Sequence, residues 1–177
     1  MQTFIVFLRG INVSGQKKMK MAKLKEILSE NGFQNVQTYI QSGNLILSTK
    51  WDKETVAQKI KDIITDNFGF EVPILVLTAE VVNQMLEACP YAKLEDKKRY
   101  FTLLYEQADA KMVADFEALS YENEDFSVTE NCVYLYCKNG AGKAKLSNNV
   151  IEQKLKVTAT TRNLNTMRKM LELTKKS

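Results

Sequence analysis

Four segments carry the residues that could do chemistry. Leu8-Arg-Gly-Ile-Asn-Val-Ser-Gly15 leaves an apolar run and, after Lys17 and Lys18, enters an amphipathic stretch. Gly10 and Gly15 let backbone N–H groups turn toward a ligand, and a following helix N-terminus adds positive potential. A turn needs only the glycines; Arg9 and Asn12 are surplus to it and point to recognition of an anion. Asn139-Gly-Ala-Gly-Lys-Ala-Lys-Leu-Ser147 combines pliant backbone, two ammonium groups (Lys143 and Lys145) and a Ser147 placed to cap a helix. It is neither a G-x-x-x-x-G-K-[ST] loop, since Ala144 follows Lys143, nor a G-x-G-x-x-G turn. An anion-binding loop and an exposed loop with solvated lysines fit it equally. In Thr158-Ala-Thr-Thr-Arg162-Asn163 the asparagine reads as an N-cap, and Arg162 beside a helix start repels its dipole unless an anion or carboxylate intervenes. Tyr39-Ile-Gln-Ser-Gly-Asn44 reads first as a hairpin, turning at Ser42-Gly43-Asn44 because Gly and Asn accept positive φ.

The chain has four arginines, Arg9, Arg99, Arg162 and Arg168, among 25 basic residues. Lysine is therefore the default surface cation. Arg9 and Arg162 are expected where a planar, multi-donor fork matters, with Lys18, Lys143 and Lys145 assisting. The competing role for both arginines is pairing with a protein carboxylate. Histidine is absent, which excludes Ser-His-Asp and Cys-His dyads, imidazole bases and His-dependent metal sites. No carboxylate pair or Asp/Glu metal cluster stands out. Tyr121-Glu-Asn-Glu-Asp125 reads as a solvated acidic loop. The sequence assigns no catalytic residue, metal or cofactor.

These segments need elements to hold them. The chain of 177 residues is 45% hydrophobic and 26% charged, which excludes wholesale disorder and suits one large domain or two small ones. Cations gather at both ends: Arg9, Lys17, Lys18, Lys20, Lys23 and Lys25 in the first 27 residues, and a larger excess after residue 137, around an acidic centre. The start has only five consecutive apolar residues, too few for a signal peptide or membrane span. Cys89, Cys132 and Cys137 are odd in number and lack C-x-x-C spacing, so buried free thiols and a cytoplasmic protein without membrane contact are expected.

Periodicity predicts strands at Thr3–Leu8, Val36–Gln41, Leu45–Thr49 and Val72–Leu77, with helices over 20–31 (Met21, Leu24, Ile27, Leu28 inward) and from Asp52 to Gly69. A linking helix capped by Thr78 runs to Cys89 and stops at Pro90. The order then recurs: a strand at Tyr100–Tyr105, a helix at Asp109–Leu119 with Met112, Val113, Phe116 and Leu119 inward, a hairpin of Phe126–Thr129 with Cys132–Cys137, a helix at Ser147–Leu155, a strand at Val157–Thr161 and a helix at Asn163–Leu173. Two β-α-β-β-α-β units in tandem predict an α+β fold of two ferredoxin-like sheets. The expected limits are 1–78, a linker over 79–98, and 99–177. In such a unit Arg9–Lys20 shares one sheet end with Ser42–Asn44, while Lys138–Leu146 shares the opposite end with Thr160–Asn163. We expect these ends to face each other across one cleft.

Read together, Leu8-Arg-Gly-Ile-Asn-Val, Tyr39-Ile-Gln-Ser-Gly-Asn44, Gly-Lys-x-Lys-Leu-Ser and Thr-Ala-Thr-x-Arg-Asn closely resemble the signatures of the bacterial domain-of-unknown-function 1697 family. Ser14-Gly15 stands where Gly-Gly is common, and Leu164 where Trp is common. The resemblance places Arg9, Gly10, Asn12, Ser42, Gly43, Asn44, Lys143, Lys145, Ser147, Arg162 and Asn163 at signature positions and carries no reaction. The expected function is binding of a small phosphorylated or nucleotide-like ligand. The alternative is a nucleic-acid-binding module built on the basic ends, for which Tyr134 and Tyr136 are the available stacking residues. A scaffold with no pocket ranks last.

Overall fold

In the computed structural model, residues 1–175 are described. Contacts divide the chain into two compact units, Met1–Asn83 together with the stretch from Lys169, and Gln84–Arg168. The first holds β1 (Gln2–Leu8), α1 (Met21–Glu30), β2 (Gln34–Tyr39), β3 (Asn44–Thr49), α2 (Lys53–Phe68) and β4 (Ile74–Thr78). After α3 (Ala79–Glu87), the second holds β5 (Arg99–Leu104), α4 (Ala110–Glu117), β6 (Glu124–Val128), β7 (Cys132–Cys137), α5 (Asn148–Leu155) and β8 (Ala159–Asn163), followed by α6 (Leu164–Thr174). The strand orders are β2-β3-β1-β4 and β6-β7-β5-β8, antiparallel throughout, consistent with a tandem ferredoxin-like arrangement.

The helices form where apolar spacing and capping agree. Met21, Leu24, Ile27 and Leu28 are all buried on α1. Asp52 accepts from Thr55 N–H at 2.8 Å to open α2, and Gly69 closes it at φ 76. Asp109 caps α4 through the N–H groups of Lys111 and Met112. On α4, however, only Phe116 is buried and Leu119 is exposed, because the helix ends at Glu117 before Leu119 can turn inward.

In the first unit, Phe4, Val6, Leu8, Leu45 and Leu47 face α1 and α2. Their alternates Ile5, Phe7, Asn44, Ile46 and Ser48 are buried too, so β3 is covered along its whole length. In the second unit, Leu104, Val133, Leu135 and Cys137 form a core with Phe116, Ile151 and Leu155. Arg99, Phe101, Leu103, Cys132 and Tyr134 lie buried on the opposite face.

The first hairpin turns earlier than its composition suggests. Tyr39 pairs with Asn44, so the turn is 40–43 and Asn44 belongs to β3. The positive φ falls at Gly43 (79°) and at Ile40 (49°), a β-branched residue in the left-handed region. Gly43 donates no space: a Cβ there would stand 2.7 Å from Leu8 Cβ and 3.1 Å from two Ile11 carbons. Its carbonyl accepts from Leu8 N–H at 2.8 Å, joining the turn to the end of β1. Gly43→Ala combines a left-handed alanine with this collision and should lower stability by at least about 2 kcal/mol in urea unfolding. Gly10→Ala, with nothing within 4 Å, should cost only about 1–2 kcal/mol.

Candidate functional site

The end of the first sheet gathers unusual backbone. Gly10 (φ 70), Asn12 (53), Ser14 (50), Gly15 (75) and Lys17 (44) are all left-handed. Non-glycine residues held there store strain, which accumulates where a loop must keep one shape for a purpose. The Asn12 side chain is what keeps it. Its Nδ2 donates to the Met19 and Gln41 carbonyls, both at 2.8 Å, and its Oδ1 accepts from Met19 N–H at 2.8 Å. Asn12 is therefore needed by the turn itself, contrary to the expectation that glycines suffice. Asn44 is likewise committed, donating to Tyr39 O at 3.0 Å and Ser42 Oγ at 2.9 Å. Asn12, Ser42, Gly43 and Asn44 make up the frame.

On that frame sit the cations. Arg9 is half-buried and its N–H donates to Pro73 O at 3.2 Å. Lys17 Nζ donates to Glu71 O at 2.6 Å, and Lys18 is exposed. The loop then enters α1, whose N-cap is Lys20. It makes no side-chain cap, and the first turn holds no acid. Exposed Ile40 (52%) and Val13 (57%) lie on the two loops that Asn12 ties together.

In the second unit the end of β7 meets the start of β5 and the end of β8: Arg99 pairs with Tyr136 and Tyr100 with Asn163. The loop from Lys138 to Leu146 and the Arg162 segment thus share one end, as strand direction implies. Glu124 organises the loop. It accepts from Lys145 N–H at 2.6 Å and Leu146 N–H at 2.8 Å and is buried. This corrects the reading of Tyr121–Asp125 as solvated: Glu124 opens β6 opposite Cys137, and its side chain turns inward. A cavity of about 120 Å³ is lined by Glu124 together with Asn139, Gly140, Lys143 and Lys145 among others. Lys143 and Lys145 are exposed.

Ser147 and Asn163 act as caps, accepting from Val150 N–H at 3.4 Å and Thr166 N–H at 2.8 Å. Arg162 lies within β8, one residue past the expected strand end at Thr161, because that strand runs on through Asn163. It is buried, with Nη1 donating to Thr160 Oγ1 at 2.7 Å and Thr161 O at 2.9 Å. Burial pulls its guanidinium down to about 10, so it stays charged at neutral pH. The cysteines are free and buried. Among the described residues no group of His, Cys, Asp or Glu could hold a metal, and no helix is long and apolar enough to cross a membrane.

Residues 1–134 match a family described as "Protein of unknown function (DUF1697)". The chain belongs to the DUF1697 family. The DUF1697 match takes in the Arg9–Lys20 loop, the 40–43 turn and Glu124, and ends before the Gly/Lys loop. No curated protein matches the chain. Among solved structures, the conserved bacterial protein SP0830 from Streptococcus pneumoniae is similar, with a TM-score of 0.77 and 23% identity over 97% of each chain. At that identity the likeness is one of fold.

Three outcomes follow for this DUF1697 protein. Glu124→Ala should release the Lys145 and Leu146 amides, raising their hydrogen exchange while leaving the first unit unchanged, at a cost of about 2–4 kcal/mol for two charge-assisted bonds. The buried acids give an alkaline limit. Burial, with help from Glu124, pushes the Cys137 thiol from 9.0 to about 11. Burial lifts the Tyr91 and Tyr134 phenols from 10.0 to about 12. Above pH 9 the unfolded chain releases protons that the folded chain keeps, so stability should fall as pH rises from 9 to 12. Urea midpoints across that window would read it. The thiols should resist Ellman's reagent until the protein unfolds.

Proposed function

We propose that this protein binds a small phosphorylated ligand at the loop-to-helix junction of its first unit, through Arg9, Gly10, Lys18 and the N–H groups that open α1. The observation that carries this reading is the start of α1: Lys20 is the N-cap, no side chain caps the helix, and no acid stands in its first turn. Cations at the positive end of a helix are unfavourable, and an anion there relieves both the dipole and the uncapped N–H groups. Five left-handed residues hold the approach in one shape, so a ligand finds the site already ordered. Arg9 supplies a fork suited to phosphate oxygens.

Asn12, Ser42, Gly43 and Asn44 serve this site by holding the loop. Lys143 and Lys145 remain exposed and are not required by it, and Ser147 and Asn163 are occupied as helix caps. The nucleic-acid reading is less well supported. The aromatic pair on the two central strands of the second sheet, Phe101 and Tyr134, is 0% and 2% exposed, and stacking on bases needs an open ring face. Tyr136 packs against Tyr91, with ring centroids 6.1 Å apart.

A thermal-shift panel of nucleotides and sugar phosphates tests the proposal. A ligand at 100 times its Kd should add about 2.7 kcal/mol of stability. Arg9→Lys keeps charge but not the fork, and should weaken that ligand about tenfold; Lys18→Ala should weaken it less. Absence of any stabilising phosphorylated compound, or an unchanged response in Arg9→Lys, would sink the reading. Tighter binding of single-stranded RNA than of every mononucleotide would favour the alternative.

A further inference from the structure

A second charge cluster lies in the other unit, apart from the residues used above. Asp96 stands on a one-turn 3-10 helix, Asp96–Lys98, that leads into β5. Its Oδ1 accepts from Arg99 Nη2 and its Oδ2 from Arg168 Nη1. Each carboxylate oxygen thus serves one guanidinium. Arg99 is buried at 4% exposure, on the face of β5 that also carries Phe101. The side chains of Asp96 and Arg168 are about half exposed, at 47% and 54%. Two guanidiniums against one carboxylate leave positive charge in place. Lys97 and Lys98 share the turn, Lys98 being paired with Glu95 at 2.9 Å.

The arrangement is incomplete at one atom. Arg99 Nε is buried and has no hydrogen-bond partner. Nε–H and Nη2–H lie on the same edge of a guanidinium and form a fork for two oxygens. Here Asp96 fills only the Nη2 prong, because its second oxygen is drawn away to Arg168. A buried charged donor left without an acceptor is costly, and its presence asks for an explanation. With one oxygen turned to each guanidinium, this carboxylate leaves Arg99 Nε without an acceptor. A tetrahedral oxyanion can serve all three donors, giving two oxygens to the Arg99 fork and a third to Arg168.

We propose that Arg99 and Arg168 form a phosphate-group site in the second unit, and that Asp96 is a resident carboxylate which the incoming oxyanion displaces. Asp96 is placed to leave: it is half exposed, and its short turn has no side-chain cap. Hydrogen bonds from Arg168 and then Arg99 hold its carboxyl below the usual range, so it competes as an anion at neutral pH. The site does not depend on the first-unit loop. No covalent step is involved.

The arginine Nε–Hε resonances of the ¹⁵N-labelled protein report directly on it, since the chain has only four arginines. Inorganic phosphate would be titrated at constant ionic strength against chloride. The Arg99 and Arg168 signals should move along a saturable curve. Asp96→Asn removes the competing anion and should tighten phosphate binding at least about threefold, with a melting temperature that is lowered without phosphate and restored by it. Arg168→Lys, at an exposed position, should weaken binding about tenfold. A still or linearly drifting Arg99 signal in the wild type, equal movement with chloride, or unchanged affinity in Arg168→Lys would overturn the proposal. Should Asp96→Asn fail to fold, the wild type and Arg168→Lys decide. Arg9→Lys separates the two sites. If the Arg99 response survives that change, the second site stands whatever becomes of the first; if it vanishes, the second site is wrong.

Discussion

Burial of the central strands on both faces governs what each unit can do. β3 is covered along its length, and Phe101, Leu103, Cys132 and Val133 leave no open face on the second sheet either. A sheet without an exposed face cannot present a flat platform to a ligand. The polar segments open to a ligand therefore lie at the strand ends, where the chain must turn. That is where the left-handed residues, Arg9, the Gly/Lys loop and the Asp96 cluster are found. Inside the second sheet, Thr102 and Thr161 satisfy each other across strands, hydroxyl to hydroxyl at 2.8 Å.

The two units secure their polar loops by different chemistry. In the first, a neutral amide reaches across: Asn12 offers two donors and one acceptor to main-chain groups on both sides of the loop. In the second, a carboxylate does so: Glu124 accepts from consecutive N–H groups. The choice matters for charge. A neutral clamp adds no charge of its own beside Arg9, Lys17 and Lys18. The Glu124 carboxylate sets a negative charge beside Lys143 and Lys145 and lessens their pull on an anion. The loops follow different strands of their sheets, β1 and β7, and so occupy opposite ends of the shared topology.

Much of the fold was legible because helix signals are local. Met21, Leu24, Ile27 and Leu28, the Asp52 cap and the Gly69 stop all act within a few residues. What was missed depends on pairing between distant segments. The hairpin composition suggested a turn at Ser42–Asn44, but the Tyr39–Asn44 register draws Asn44 into the strand and leaves Ile40 left-handed. The strand before the last helix was expected to end at Thr161, whereas pairing with β5 extends β8 through Arg162 to Asn163, directly against the helix start. Glu124 looked like one acid among several, since nothing in its neighbours reveals two amides waiting 21 and 22 residues away. Asn12 drew attention as a possible ligand contact, and its partners Met19 and Gln41 show it holding the loop. Arg99 gave no signal at all, because it follows Lys97 and Lys98 and nothing in the three basic residues marks which one is buried.

The antiparallel order has a bearing on how the chain is made. β1, with Phe4–Leu8 among its residues, is synthesised before both of its partners, β3 and β4. Phe4 pairs with Leu47 and with Thr78, the second roughly 70 residues downstream. At about 5–20 residues per second, the most apolar strand of the first unit waits on the order of 4–15 s for its last neighbour. During that time it is an uncharged, unpaired apolar strand of the kind that chaperones shield and that pairs with other chains when they do not. Translation speed between β1 and β4 thus becomes a determinant of how much protein a cell recovers.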